Sequence, residues 1–165
     1  MITEETTPTL QARTRNPVQI FPKALPSIVA LVGAVKTAGL PAKTIELVYM
    51  RASQINGCSF CLDIHAREMR QLGENDARVC GVAAWREAPY FTHAERAALA
   101  LTEAMTRLSD QADAVPDAIW DEATRHYDET QLASLVVHIS LINFFNRVNV
   151  ATRQVAGTEP LVHRE

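Results

Sequence analysis

The chain has 165 residues, 47% hydrophobic and 21% charged, with a net charge of −3. That is enough for one domain with a real core, and without a basic block it does not read as a nucleic-acid-binding protein. The longest uncharged apolar run of the first half, Ala24 to Val35, is too short to span a bilayer. Met1 to Arg15 carries acidic residues and no apolar h-region, so it does not read as a secretory signal. A cytoplasmic, reducing compartment is expected. Two close cysteines are there more readily catalytic or metal-binding than structural.

In chain order, residues 1–19 are polar, Thr-rich and aperiodic, and read as a flexible arm. Residues 20–155 carry helical signals and form the domain; 156–165 read as a C-terminal tail. Pro22 or Pro26 opens a helix bearing Ile28, Val29, Leu31, Val32 and Val35, which Gly39 ends. Pro41 opens a second helix through Ile45, Val48, Ala52 and Ile55, closed by Asn56-Gly57. A third runs from about Cys58 to Leu72 and stops at Gly73; Asn75 caps a short fourth reaching Val82. Trp85 to Phe91 connects to a helix that Thr92 and Glu95 start with a capping box and that continues to Leu108. That helix is apolar over much of its circumference, which suits a central core position or a subunit interface. Pro116 opens another helix to about Tyr127, and Thr130 precedes a long last one from Leu132 through Val148. Alternating strand patterns and internal repeats are not evident. The expected fold is an all-α single-domain bundle of six to eight helices.

The chemistry concentrates in Glu46-x11-Cys58-Ser59-Phe60-Cys61-x3-His65. Cys58, Cys61 and His65 fall at i, i+3 and i+7, one face of a helix, and Met69 and Leu72 continue that stripe inward. The Asn56-Gly57 break puts Cys58 near a helix N-terminus, which favours the thiolate. His65, one turn beyond Cys61, is placed to accept its proton. If the helices flanking Gly57 form an antiparallel hairpin, a rise of ~1.5 Å per residue sets Glu46 roughly 16 Å from the turn and His65 about 12 Å from it. The carboxylate and the imidazole then lie level, and the carboxylate raises the basicity of the ring and fixes its tautomer. Two cysteines three apart at a helix start reach disulfide geometry with small adjustment.

Plainer readings stand beside this one. The same four groups make a chemically possible zinc site, although structural zinc sites usually use well-separated ligand pairs. The absence of a CxxCH motif does not support covalent haem. Cys80 reads as a small buried apolar residue, Tyr49 as core packing near the site, His138 as a packed, hydrogen-bonded histidine, and His93 and His126 as solvent-side. Asn143, Asn146 and Asn149 recur every three residues on the last helix. Asn is a poor helix former, so this stripe needs a hydrogen-bonding partner on another helix or subunit.

The Glu-x11-Cys-x2-Cys-x3-His pattern resembles the signature of the alkylhydroperoxidase D-like branch of the carboxymuconolactone decarboxylase family. Tyr49 to Cys58, Trp85 to Tyr90 with Glu95 to Leu99, and Ile142-Asn143 with Asn146 to Val150 resemble its other segments, so the likeness covers about 21–153. The resemblance implies an all-α fold assembled as a trimer or hexamer, and hydroperoxide reduction through a dithiol–disulfide cycle with no bound cofactor. It implies Cys61 as the peroxidatic thiol, Cys58 as the resolving thiol facing an external reductant, and Glu46 with His65 as a proton relay. The helix dipole alone points instead to Cys58 as the more acidic thiol. The implied partners are a hydroperoxide and a lipoyl- or thioredoxin-type dithiol. The best-known members carry a histidine immediately before the second cysteine; here that residue is Phe60. A general dithiol–disulfide oxidoreductase is the alternative that this departure leaves open. Lactone decarboxylation is not expected, because the decarboxylase branch lacks the thiol pair.

Overall fold

Helix α3 (Ala42–Asn56) is the central element of the computed structural model, which describes residues 9–158. Nine of its fifteen residues are buried, because it packs on α4 (Ser59–Gln71), α6 (His93–Thr106) and α8 (Glu129–Thr152) at once. Ile45, Val48, Tyr49 and Ala52 face one apolar cluster, shared with Leu101, Leu135, Ile139 and the two close cysteines. Leu47 and Met50 face a second, with Met69, Val82, Trp85 and Leu99. A helix that serves two cores cannot be amphipathic in the usual one-sided way.

The other elements are α1 (Pro17–Ile20), α2 (Ala24–Lys36), α5 (Asp76–Gly81), a short 3₁₀ turn at Val82–Ala84, and α7 (Asp117–Thr124). Among the described residues the structure is helical, with eight α-helices and no strand. The predicted punctuation holds. Gly57 ends α3 in the left-handed conformation at φ 67°, and Asn75 caps α5 through the Arg78 amide. Thr92 and Glu95 form the reciprocal capping box of α6. That helix is central to the core, burying Ala97, Ala98, Leu99, Leu101 and Thr102.

Three expectations are corrected. The last helix starts at Glu129 behind its N-cap Asp128, whose carboxylate accepts the Gln131 amide while the Gln131 side-chain oxygen accepts the Asp128 amide; Thr130 is already inside it. The stretch read as an arm contains α1, whose Val18 is buried, and Arg13 donates its backbone N–H to Thr152 O at 2.8 Å. Cys80 is exposed, because the short α5 turns Val79 inward and Cys80 away from it. Helix α2 forms where predicted, yet none of its residues is buried; Val29 is 61% exposed.

Candidate functional site

The site begins at the α3–α4 turn. Gly57 donates its amide to Gln54 O and Cys58 donates to Ser53 O, so the chain reverses in two residues. Cys58 lands at the N-cap of α4 in an extended conformation, and its Sγ accepts the Cys61 amide at 3.3 Å. This is a capping bond in which sulfur replaces the usual hydroxyl or carboxylate. One turn on, Cys61 brings its Sγ within disulfide-bonding distance of Cys58, with the Cα atoms 5.4 Å apart. The cysteines are 2% and 3% exposed, while Gly57 and Ser59, on either side of Cys58 in the chain, are exposed. Cys58 therefore does not face outward as expected: its capping role turns the sulfur onto the first turn of α4.

The hairpin places Glu46 beside His65. Glu46 Oε2 lies 2.7 Å from His65 Nδ1, and both side chains are buried. Donation of Nδ1–H to the carboxylate leaves Nε2 as the acceptor of the ring. This is the tautomer that can take a thiol proton. A carboxylate this close also stabilises the imidazolium once the proton has moved.

Two aromatic or imidazole groups join from behind. The Tyr49 ring sits 4.6 Å from the His65 ring, and its hydroxyl hydrogen-bonds His138 Nδ1 at 2.6 Å. Tyr49 thus touches the site, and the register of Glu46 and Tyr49, one turn apart on α3, was its sequence signal. The asparagine stripe finds its partners. Asn143 donates to Thr106 Oγ1, Asn146 donates to Ser53 Oγ, and Asn56 at the end of α3 donates to both Oδ1 atoms. Asn149 is the member that sequence reasoning did not assign to the site: its Nδ2 donates to Cys61 Sγ at 3.3 Å. Phe60 is buried in the same apolar cluster as both cysteines. Among the described residues no group of three or more His, Cys, Asp or Glu is arranged to hold a metal ion. Glu46 pairs with His65, and the two sulfurs pair with each other.

Away from the site, Glu103 collects Arg51 and Trp85, with Arg86 and Arg107 closing from the surface. Burial pushes its carboxyl up, but Arg86, Trp85 and Arg51 outweigh this and hold it at about 2. The ion pair ties α3, the Trp85 connector and α6 together behind the thiol turn.

Residues 22–104 match the model of the carboxymuconolactone decarboxylase family. The chain is 35% identical to the uncharacterised YdfG protein of Bacillus subtilis over 141 residues, 86% of this chain and 95% of that one. A crystal structure of an Agrobacterium tumefaciens protein, proposed to be the antioxidant defence protein AhpD, superposes with a TM-score of 0.81 at 32% identity. The match covers 90% of this chain and all of that one. The debrominase Bmp8 bound to 2,3,4-tribromopyrrole has the same fold, with a TM-score of 0.73 at 20% identity over 85% of this chain and 74% of its own.

Proposed function

The chain belongs to the carboxymuconolactone decarboxylase family, and from that premise we propose that it is a thiol-dependent peroxidase using a Cys58/Cys61 dithiol. The observation that carries the reading is the coincidence, on one helical hairpin, of a cysteine pair at disulfide distance and a buried carboxylate–imidazole pair. The resemblance to the proposed AhpD of Agrobacterium tumefaciens supports the same class.

The Cys61 thiolate attacks the O–O bond of ROOH; its sulfur takes one oxygen and becomes sulfenic acid, and RO⁻ leaves and takes a proton through His65. The Cys58 thiol then attacks the sulfenic sulfur, forming the disulfide and releasing water. An external dithiol reduces the disulfide by exchange and is itself oxidised to a disulfide. The sulfurs are buried at 2% and 3% exposure, which suits a slender lipoyl-type dithiol better than a flat thioredoxin-type protein surface. No bound cofactor is required by this scheme. Peroxide consumption with dihydrolipoamide is the test, and unchanged turnover in Cys61→Ser would sink the assignment.

A second reading rests on Phe60. Its buried ring leaves the thiol turn without the second imidazole of the best-known family members, which favours general dithiol–disulfide exchange over fast peroxide turnover. Insulin-type disulfide reduction assayed beside peroxide consumption separates the two. Self-association as a trimer or hexamer is supported by α2, uncharged from Ala24 to Val35 and unburied throughout, and by Phe21 and Phe144 exposed close by in the fold. Light scattering of the wild type and of Val29→Glu tests it: a smaller species in the variant is expected.

A further inference from the structure

We propose that Asn149 is the hydrogen-bond donor that holds the Cys61 sulfur as thiolate, and that Asn16 is the positioning residue that aims it. The proposal rests on the reading of Cys61 as the attacking thiol.

Asn149 lies in the last turn of α8 and is 4% exposed. A buried carboxamide is costly unless each end is satisfied. Here Nδ2 donates to Cys61 Sγ at 3.3 Å and Oδ1 accepts from Asn16 Nδ2 at 3.0 Å. The orientation of both amides follows from chemistry. A backbone N–H can only donate, so the Val18 amide, 3.0 Å from the Asn16 side chain, requires Oδ1 there. Asn16 then turns Nδ2 to Asn149, which must answer with Oδ1. That leaves Nδ2 facing the sulfur. Reversing either amide sets like groups against each other, so polarity runs in one direction from the Val18 backbone to Cys61.

The segment carrying Asn16 is moored for this purpose. Arg13 bonds Thr152 O through its backbone N–H and Ala151 O through its guanidinium, Gln154 donates to Thr14 O, and Val18 is buried. An N–H aimed at sulfur favours the anion, because a neutral thiol is a weak acceptor. Cys58 Sγ also receives an N–H, from the Cys61 backbone. The amide of Asn149 gives Cys61 the matching bond, while His65 lies one turn away on the same helix. A segment far from the motif in sequence thus helps determine which sulfur is reactive.

The test uses full-length protein carrying Cys58→Ser and Cys80→Ser, so that Cys61 is the single thiol. The readout is the pH midpoint of its alkylation by iodoacetamide, followed beside thiolate absorbance. Glu46 and Tyr49 of α3, His65 of α4 and His138 of α8, the titratable groups joined by contacts at the site, are unchanged in every variant. Asn149→Ala should move the midpoint up by about one pH unit, the size of one hydrogen bond to a charged group. Asn16→Ser keeps a cap for the Val18 amide but is too short to pin Asn149, and should move the midpoint part of the way. Asn16→Asp keeps the cap and reverses the polarity, so Asn149 turns its oxygen to the sulfur. Its shift should equal or exceed that of Asn149→Ala and should largely vanish when it is introduced into Asn149→Ala, where only a through-space effect of the new charge is left. A midpoint that moves by less than about 0.3 unit in folded Asn149→Ala overturns the proposal, as does an Asn16→Asp shift of the same size in the Asn149→Ala background. Failure of the peroxidase reading shows elsewhere, as peroxide turnover that survives Cys61→Ser while the titration shifts remain.

Discussion

Replacing Glu46 with Gln is the sharpest probe of the relay. The substitution preserves shape and an acceptor oxygen 2.7 Å from His65 Nδ1, but removes the charge. Glu46 and His65 are 5% and 8% exposed, so little solvent is present to replace that charge. Charges about 4 Å apart at an effective dielectric near 20 interact by about 4 kcal/mol, and hydrogen bonds to charged groups are worth about 1.5–3 kcal/mol. Taking about 2–3 kcal/mol as the loss of imidazolium stabilisation, peroxide reduction should fall roughly 30- to 150-fold. The loss should lie in kcat/KM for peroxide. The KM for the dithiol should hold, because the substitution leaves the sulfur pair and the exposed Gly57 and Ser59 beside it in place. Stopped-flow oxidation of the reduced enzyme isolates that first step, with circular dichroism confirming the fold. A Glu46→Gln enzyme that reacts with peroxide within twofold of wild type would refute the relay: the carboxylate would then be a structural partner of His65.

Glu103 is held at about 2 against an ordinary 4.5, so its contribution to stability is complete above about pH 4.5 and is lost as pH falls toward 2. Discounted for the exposed Arg86 and Arg107, that contribution is about 2 kcal/mol; acid denaturation of Glu103→Gln should show a flatter limb in that window, with a lower Tm at neutral pH. Gly57→Ala places a Cβ at φ 67° with nothing within 4 Å, so only backbone strain remains. A loss of about 1 kcal/mol and a Tm about 2–4 °C lower are expected by calorimetry. Phe60→His adds an imidazole beside the thiols at the expense of burying a polar group, so a Tm lower by several degrees with faster peroxide turnover is expected; slower turnover at unchanged disulfide reduction would favour the general oxidoreductase reading.

Local signals were the legible part of this chain. Gly39, Gly57, Gly73, Asn75 and the Thr92–Glu95 box act within one turn, and the structure uses them where the sequence puts them. The Glu46–His65 contact was legible too, because a hairpin closed by a two-residue turn makes height along the helix a function of residue count alone. Cys80 failed for a converse reason: six residues of α5 are too few to establish which face is inside, and neighbouring Val79 and Val82 misdirected the inference. The amino-terminal segment failed because its order comes from elsewhere. Asn16, Arg13 and Thr14 look like loop residues, and the groups that hold them, Asn149, Ala151, Thr152 and Gln154, lie more than 130 positions away. The asparagine stripe carried half of that information, since a polar row on an apolar helix demands partners without naming them. Three of those partners are the cap of α1, the end of α3 and a thiol. Each Asn therefore does for a long-range junction what a capping residue does for a helix end: it supplies directed donors and acceptors where apolar packing would leave the register of α3, α4 and α8 undetermined. The position of the sulfur pair against α8 is set by those amides rather than by the thiol motif itself.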